Sequence, residues 1–219
     1  FIDEKDLEPI DTSEQDLSTF VEQTIGKFKA EDWKETFYGL DNFRRLYKFH
    51  PEEFKQHLPK FSNLIVDGVE NLRSAICRNS LNLVAEVFEK KKELSEKDDN
   101  GEITPYAKFA HELLGPVSKR IADDKVFLSS RAKQAIELIS KSWFDKEIVE
   151  TLCELSNSKS IVISSEASNA LRANCCIMDA EFIKIPSNIE KILKVVSEDV
   201  ASKRQPFTKN AKLILKEFK

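Results

Sequence analysis

The chain has 219 residues, of which 41% are hydrophobic and 33% charged, and its formal net charge is −4. With only 5 glycines and 7 prolines it has few residues for the many turns of a β-sandwich or barrel, so the composition favours helices. A weakly acidic chain has no overall field that attracts nucleic acid or anionic lipid. No stretch approaches the roughly 20 apolar residues of a membrane span, and no signal peptide is recognisable.

The 4 cysteines and 3 histidines lack metal-ligand spacing, because no cysteines form a CxxC pair and the histidines lie far from them. We therefore expect neither a metal nor another cofactor. We expect buried, reduced thiols of a cytoplasmic protein at Cys77, Cys153, Cys175 and Cys176. The chain begins at Phe1 rather than at methionine, so we expect a domain of a longer protein.

Apolar residues with helical spacing run through the first half of the chain. The first predicted helix has its cap between Asp11 and Ser13, and Pro51 opens the third helix. Pro59 lies inside that third helix and predicts either a kink or a division into two short pieces. The four apolar faces comprise Leu17, Phe20, Val21, Ile25 and Phe28; Phe37, Leu40, Phe43 and Tyr47; Phe54, Leu58, Phe61, Ile65 and Val69; and Leu72, Ile76, Leu83, Val87 and Phe88.

The segment from Leu94 to Thr104 (LSEKDDNGEIT) is polar and acidic, with a turn at Asn100-Gly101, and is the clearest linker. After it the helical pattern resumes, and no segment sustains the two-residue alternation of a strand. The later faces comprise Tyr106, Phe109, Leu113, Val117 and Ile121; Leu128, Ala132, Ala135, Ile136 and Ile139; Ile148, Leu152 and Leu155; Val162, Ala167, Ala170 and Leu171; Ile189, Ile192, Leu193 and Val196; and Phe207, Ala211, Ile214 and Phe218.

The predicted helices come in pairs, and the second helices of two pairs share a motif. Leu128-Ser-Ser-Arg-Ala-Lys-Gln-Ala-Ile136 and Ile163-Ser-Ser-Glu-Ala-Ser-Asn-Ala-Leu171 alternate apolar, serine, charged and alanine positions in the same order. Their offset is near the period of about 40 residues in HEAT repeats. One hairpin cannot bury its apolar face alone, so the pattern predicts an all-α solenoid of about five stacked antiparallel helix pairs. A helical bundle is the alternative, but it does not explain the repeated second helix.

No catalytic motif is recognisable in the sequence, which has no GxSxG elbow, no glycine-rich phosphate loop and no HExxH. The acidic pairs Asp98-Asp99 and Asp123-Asp124 fall in predicted turns, where solvated charge is the ordinary explanation. His111 lies near the apolar face of its helix, which predicts partial burial rather than a role as a general base. We therefore do not expect an enzyme.

Each predicted turn within a helix pair lies beside a basic residue. In a stack of hairpins these turns line one edge, and the linkers between hairpins, including Leu94 to Thr104, line the other. The chain would thus present a basic edge to an acidic partner. The predicted turns are Ala30 to Trp33, Glu70 to Ser74, Asp123 to Phe127, Asn157 to Ile161 and Val200 to Gln205. The basic residues beside them are Lys34, Arg73, Lys125, Lys159, Lys203 and Arg204.

Trp33 lies in the first of these turns, where the second helix starts. It is either a staple that packs inward onto the first helix or an exposed anchor. Its place at one end of a basic edge favours the anchor, because tryptophan is common among interface hot spots. Trp143 ends a helix face instead and is predicted to lie in the core.

Three segments resemble the TOG domain, a tubulin-binding array of HEAT repeats, and in particular its CLASP and crescerin branch (TOG array regulators of axonemal microtubules). Asp32-Trp-Lys-Glu-Thr-Phe-Tyr-Gly-Leu-Asp-Asn-Phe43 is similar to the first-repeat motif, in which tryptophan opens the second helix. Asn71-Leu-Arg-Ser-Ala-Ile-Cys-Arg-Asn-Ser80 resembles the second-repeat LRSxVxR segment. Ser158-Lys-Ser160 and the helix after it resemble the fourth repeat.

This resemblance implies that residues 16–219 form a TOG-like domain of five to six helix pairs, with residues 1–15 as an N-terminal extension. It implies a monomeric domain that binds αβ-tubulin or the microtubule lattice, in the cytoplasm, the cytoskeleton or the cilium. Trp33 becomes the apolar anchor and Lys34 and Arg73 the ionic contacts at the near end of the edge. Lys125, Lys159, Lys203 and Arg204 become the contacts at the far end.

The alternative function is a general HEAT scaffold that binds a protein partner in its concave groove. The two functions differ in the surface they require. Tubulin binding requires an exposed turn edge, whereas the scaffold requires an apolar or charged groove on a helical face.

Overall fold

The computed structural model describes residues 2–13, 15–90, 104–202 and 204–218. Within these ranges the regular elements are a 3₁₀ helix at Glu4–Asp6 and eleven α-helices, with no strand. The α-helices are α1 (Leu17–Lys27), α2 (Trp33–Phe49), α3 (Pro51–Glu70), α4 (Ser74–Glu89), α5 (Pro105–Ile121), α6 (Val126–Ser142), α7 (Lys146–Ser156), α8 (Ile161–Cys175), α9 (Ala180–Ile183), α10 (Pro186–Ser202) and α11 (Phe207–Glu217).

Ten of these helices form hairpins 1 to 5, which are α1–α2, α3–α4, α5–α6, α7–α8 and α10–α11. The first helices contact one another in chain order, as α1 packs on α3, α3 on α5, α5 on α7, and α7 on α10. The second helices form a parallel row in the same order, α2, α4, α6, α8 and α11. Two stacked rows of helices are the architecture of an α-solenoid, so the predicted fold class is confirmed.

The helix boundaries follow local hydrogen bonding. The cap that the sequence places between Asp11 and Ser13 is wrong, because Asp11 Oδ1 accepts from the backbone N–H of Ser13 (2.9 Å) and closes a turn before the helix. The carboxylate of Asp16 caps α1 instead, accepting from the N–H of Thr19 (2.8 Å).

Pro59 does not divide α3, which runs without interruption from Pro51 to Glu70. The predicted division into two pieces is therefore wrong. A proline removes one backbone donor, but here it is exposed while Phe54, Leu58 and Phe61 on both sides of it are fully buried. Packing against the neighbouring helices holds the two halves of α3 together.

A single apolar core runs through all five hairpins, from Phe20 in α1 to Ile214 in α11. Trp143 was predicted to lie in the core, but it is half-buried and packs against the core from outside. Its indole N–H donates to Asp145 Oδ2 (2.6 Å). Three of the four cysteines are buried free thiols, and burial raises the pKa of Cys153 to about 12. Cys176 is exposed at the end of α8, which corrects its predicted burial.

The N-terminal segment 2–13 packs onto hairpin 1. Its Leu7 and Ile10 are buried. The guanidinium groups of Arg44 and Arg45 and the ammonium of Lys48, all on α2, donate to backbone carbonyls of the segment over 2.5–3.4 Å. The segment therefore covers the C-terminal half of α2, away from the turn that precedes this helix.

Gly39 on α2 allows the ring of Phe28 to lie against the helix. A Cβ atom at position 39 would lie 2.5 Å from Phe28 Cε2, and this ring stacks on Phe43 with 5.4 Å between centroids. By contrast, a Cβ atom at Gly115 of α5 would meet nothing within 4 Å.

We expect Gly39→Ala to destabilise the protein, because overpacking costs about 1–3 kcal/mol and exceeds the roughly 0.5–1 kcal/mol that alanine adds in a helix. Gly115→Ala is the matched control and should stabilise by that smaller amount. Urea denaturation of both variants measures the two free energies of unfolding. Equal stabilisation by both changes would show that the Phe28 ring moves aside freely.

His111 joins hairpins 3 and 4. Its Nε2 lies 2.7 Å from Asp145 Oδ2 and its Nδ1 lies 3.1 Å from Glu147 Oε2. Burial favours the neutral ring, but the hydrogen bond and charge of Asp145, with Glu147 and Glu112, raise the pKa of His111 above its usual value. Both ring nitrogens face carboxylates, which is the arrangement that the charged imidazolium requires.

The raised pKa predicts that His111 stabilises the fold at low pH. The contribution is complete below about pH 6.5, the ordinary value, and is lost as the pH rises through the raised pKa. We expect the difference in unfolding free energy between wild type and His111→Gln to shrink over that range. Chemical denaturation at several pH values measures it. A difference that does not change with pH would contradict the assignment.

Candidate partner-binding edge

The turn edge consists of the turns within the five hairpins, at residues 28–32, 71–73, 122–125, 157–160 and 204–206. Because the second helices pack side by side in a parallel row, their N-termini follow one another along this edge. Trp33, Lys34, Arg73, Lys125, Lys159 and Arg204 all lie in these turns or in the first helical turn after them. Lys203 and residues 94–103 of the predicted linker lie outside the described residues.

A repeated hydrogen bond shapes every turn of the edge. The side chain of one residue accepts from the backbone N–H two residues later, which fixes the direction in which that later residue leaves the turn. The acceptor and donor residues are Asp32 and Lys34 (3.0 Å), Asn71 and Arg73 (2.9 Å), Asp123 and Lys125 (2.9 Å), Ser158 and Ser160 (3.3 Å), and Ser202 and Arg204 (3.3 Å). In four turns the fixed residue is a predicted cation.

The predicted cations occupy different positions relative to the second helix. Arg73 and Lys125 are the N-cap residues of α4 and α6, whereas Lys34 lies in the first turn of α2. Lys159 lies one residue before the N-cap of α8. Each turn therefore has a cation in it or beside it, but the cations do not occupy equivalent positions.

Contacts join the turns of hairpins 1, 2 and 3. The guanidinium carbon of Arg73 lies 5.2 Å from the centre of the Trp33 ring, within cation–π range. The ammonium of Lys125 contacts the hydroxyl of Ser74. The structure thus brings Trp33, Arg73 and Lys125 together, while Lys159 and Arg204 lie exposed in hairpins 4 and 5, further along the row.

Trp33 combines features of both predicted roles. It is half-buried, packs against the apolar core and meets the Phe37 ring edge-on at 6.5 Å between centroids. One face of its ring carries Arg73, and part of the ring lines a cavity beside α4.

The cavity is an open groove of about 480 Å³ along the N-terminal half of α4, named the α4 groove below. Its floor is formed by the small side chains of Ser74 and Ala75, and Arg78 lines it one turn further on. Aromatic residues of α2 form one wall and Phe127 of α6 the other. The full lining is Trp33, Lys34, Phe37, Tyr38, Ser74, Ala75, Arg78 and Phe127.

Large apolar side chains lie exposed on the same edge. Leu72 is 93% exposed, Val126 77% and Ile161 59%. The predicted assignment of Leu72, Val162 and Leu193 to buried helix faces is wrong, since all three are exposed. Leu72 precedes the N-cap of α4, and Val162 lies in the first turn of α8. Side chains at these helix ends extend past the core, so helical spacing does not predict their burial.

The turn edge also contains acidic residues. Asp32 and Asp123 accept backbone hydrogen bonds in their turns, and Asp123 also pairs with Arg120 (3.2 Å). Glu31 and Asp124 are exposed beside them. The edge therefore combines the basic residues that the sequence predicts there with exposed acidic and apolar ones.

Within the described ranges, no group of three or more histidine, cysteine or acidic side chains could hold a metal ion. Among the same residues, no helix combines the length and apolar character needed to cross a bilayer.

No protein-family model matches the chain. No curated protein matches it either. Among solved structures, it is similar to a designed armadillo repeat protein in complex with the peptide (KR)4, with 15% identity over 91% of this chain and 99% of the designed one. The TM-score of that similarity is 0.37. The two packed rows of helices define the α-solenoid by themselves.

The partial burial of Trp33 predicts an intermediate loss of stability on truncation. We expect Trp33→Ala to lower the free energy of unfolding by about 1–2 kcal/mol, because only part of the ring packs against the core. Phe61→Ala, at a fully buried position, should cost about 3–5 kcal/mol. Urea denaturation of both variants makes the comparison. Equal losses would identify Trp33 as a staple alone.

Proposed function

We propose that this chain is a tubulin-binding module of a regulator of microtubule dynamics, and that it docks through the turn edge. The observation that carries the proposal is the pairing of cations with exposed apolar side chains in successive turns. Leu72 adjoins Arg73 in hairpin 2, and Val126 adjoins Lys125 in hairpin 3. The resemblance of the first two repeats to TOG domains supports tubulin as the partner.

Physical chemistry favours an edge of this kind as a protein interface. The exposed rings of Tyr38 and Phe127 line the α4 groove together with Trp33, and a contiguous apolar surface in water is a common mark of an interaction site. The neighbouring cations would meet an acidic partner and suppress binding to a basic one. We assign Trp33, Lys34 and Arg73 to the near end of this interface. We assign Lys125, Lys159, Lys203 and Arg204 to its far end.

The alternative is a general HEAT scaffold that binds a protein partner in its concave groove. The α4 groove favours it in part, because the groove extends from the turn edge to Phe37 and Arg78 one helical turn further along. An experiment can distinguish the two functions, because only the tubulin-binding module must bind tubulin.

We expect the chain to bind αβ-tubulin or microtubules, and each of Arg73→Glu and Lys125→Glu to weaken binding about tenfold, which corresponds to roughly 1.4 kcal/mol. Each reversal places a carboxylate against an acidic partner. Gel filtration with free tubulin and co-sedimentation with microtubules measure the effect. Lys108→Glu is the matched control, because Lys108 is exposed in the first turn of α5, at the opposite end of its hairpin from the turn edge.

Binding should also weaken as salt rises, because exposed charges are screened over about 8 Å at physiological ionic strength. Wild type that binds neither form of tubulin would refute the proposal. Binding that survives both charge reversals would place the interface elsewhere on the molecule.

A further inference from the structure

The α4 groove has the shape of a receptor for a side chain. Two exposed aromatic residues border it, Tyr38 on α2 and Phe127 on α6, and the helix between them contributes Ser74 and Ala75 to the floor. Because these two residues of α4 are small, a gap remains between the aromatic residues of α2 and α6. Its volume of about 480 Å³ lies within the range of about 300–1,000 Å³ found for ligand pockets.

The walls of the groove are held by contacts within the domain. The Trp33 ring packs against the Phe37 ring in a T-shaped contact, and the Arg73 guanidinium lies over the Trp33 ring. The Arg78 guanidinium lies 5.6 Å from the centre of the Phe127 ring, so it braces the opposite wall. A groove with both walls braced binds its occupant at a smaller entropic cost than one that must form on binding.

The charged residues of the groove determine which groups are favoured around the inserted side chain. Both charged residues that line it, Lys34 and Arg78, are cations. Arg73 adjoins it through Trp33, and Lys125 adjoins it through Ser74. The complementary occupant is therefore a large apolar side chain flanked by carboxylates.

We infer that the α4 groove receives a large apolar side chain that protrudes from an acidic surface of the partner. Trp33 acts as a wall of this receptor, and the partner supplies the inserted anchor. The identity of the partner rests on the proposed function, whereas the chemistry of the occupant rests on the groove itself. In the opposite arrangement, Trp33 would be the inserted side chain and the partner would contain the pocket.

Ala75→Leu distinguishes the two arrangements. Ala75 is exposed in the first turn of α4, so leucine there fills the groove while Trp33, Arg73 and the core stay in place. We expect tubulin binding to fall at least tenfold with unchanged melting. If Trp33 is instead the inserted anchor, the added leucine only enlarges the apolar surface, and binding stays as tight or becomes tighter.

Two further variants complete the test. Ala180→Leu is the matched control, because Ala180 is exposed at the start of α9, between hairpins 4 and 5, and tubulin binding should be unchanged. Phe127→Ala removes one wall and should weaken binding several-fold. Wild-type tubulin affinity in both Ala75→Leu and Phe127→Ala would overturn the inference and leave the proposed function standing.

A peptide probe tests the groove without tubulin. The pentapeptide acetyl-Asp-Glu-Phe-Glu-Asp-amide should shift the amide resonance of Ala75 and the indole resonance of Trp33 in wild type, and a version with alanine in place of phenylalanine should not. If wild type fails to bind tubulin, the proposed function is wrong and this titration decides the inference alone. Shifts that Phe127→Ala abolishes would support it, and resonances that do not move would overturn it.

Discussion

Each interior second helix packs between two others of its row, and this packing fixes where its first turn lies. Close approach requires small side chains at the contacts. Ala132 and Ala135 of α6 and Ala167 and Ala170 of α8 are fully or almost fully buried. Each hairpin alone would leave such a face in water, so the row exists only as a stack. The turn edge follows from this constraint, because helices packed side by side present their N-termini together.

A buried network of charged side chains joins α2 of hairpin 1 to α4 of hairpin 2. Arg44 of α2 is 1% exposed and pairs with Glu86 of α4 (2.6 Å) and Asp41 (3.1 Å), while Asn79 accepts a further hydrogen bond (3.1 Å). Burial raises the pKa of Glu86, and the hydrogen bond from Arg44 opposes that rise. Buried ion pairs add little net stability, but breaking one leaves an uncompensated charge. The network therefore favours one register of α2 against α4, and in this register Trp33 lies beside Arg73.

Helical periodicity predicted the five hairpins and the positions of their turns, because burial of one face repeats every 3.6 residues. The same rule failed at Leu72 and Val162, which lie before or within the first turn of a helix and extend past the core. It also failed at Leu193 in the middle of α10, which is 45% exposed. The α4 groove could not be predicted, since it joins side chains of three helices that are distant in the chain. The turn hydrogen bonds were readable in principle, as Asp32, Asn71 and Asp123 each precede the cation by two residues.

The mixed character of the turn edge constrains the class of partner. Nucleic acid and anionic membranes attract cations through a high density of phosphate, and exposed acids such as Glu31 and Asp124 would oppose that attraction. Exposed side chains such as Leu72 and Val126 gain nothing from phosphates but are stabilised against an apolar patch. The partner's surface must offer acidic, basic and apolar groups together, at the spacing of the second helices. A folded protein can offer such a surface. The edge therefore favours a protein partner on physical grounds, independently of the resemblance that suggests tubulin.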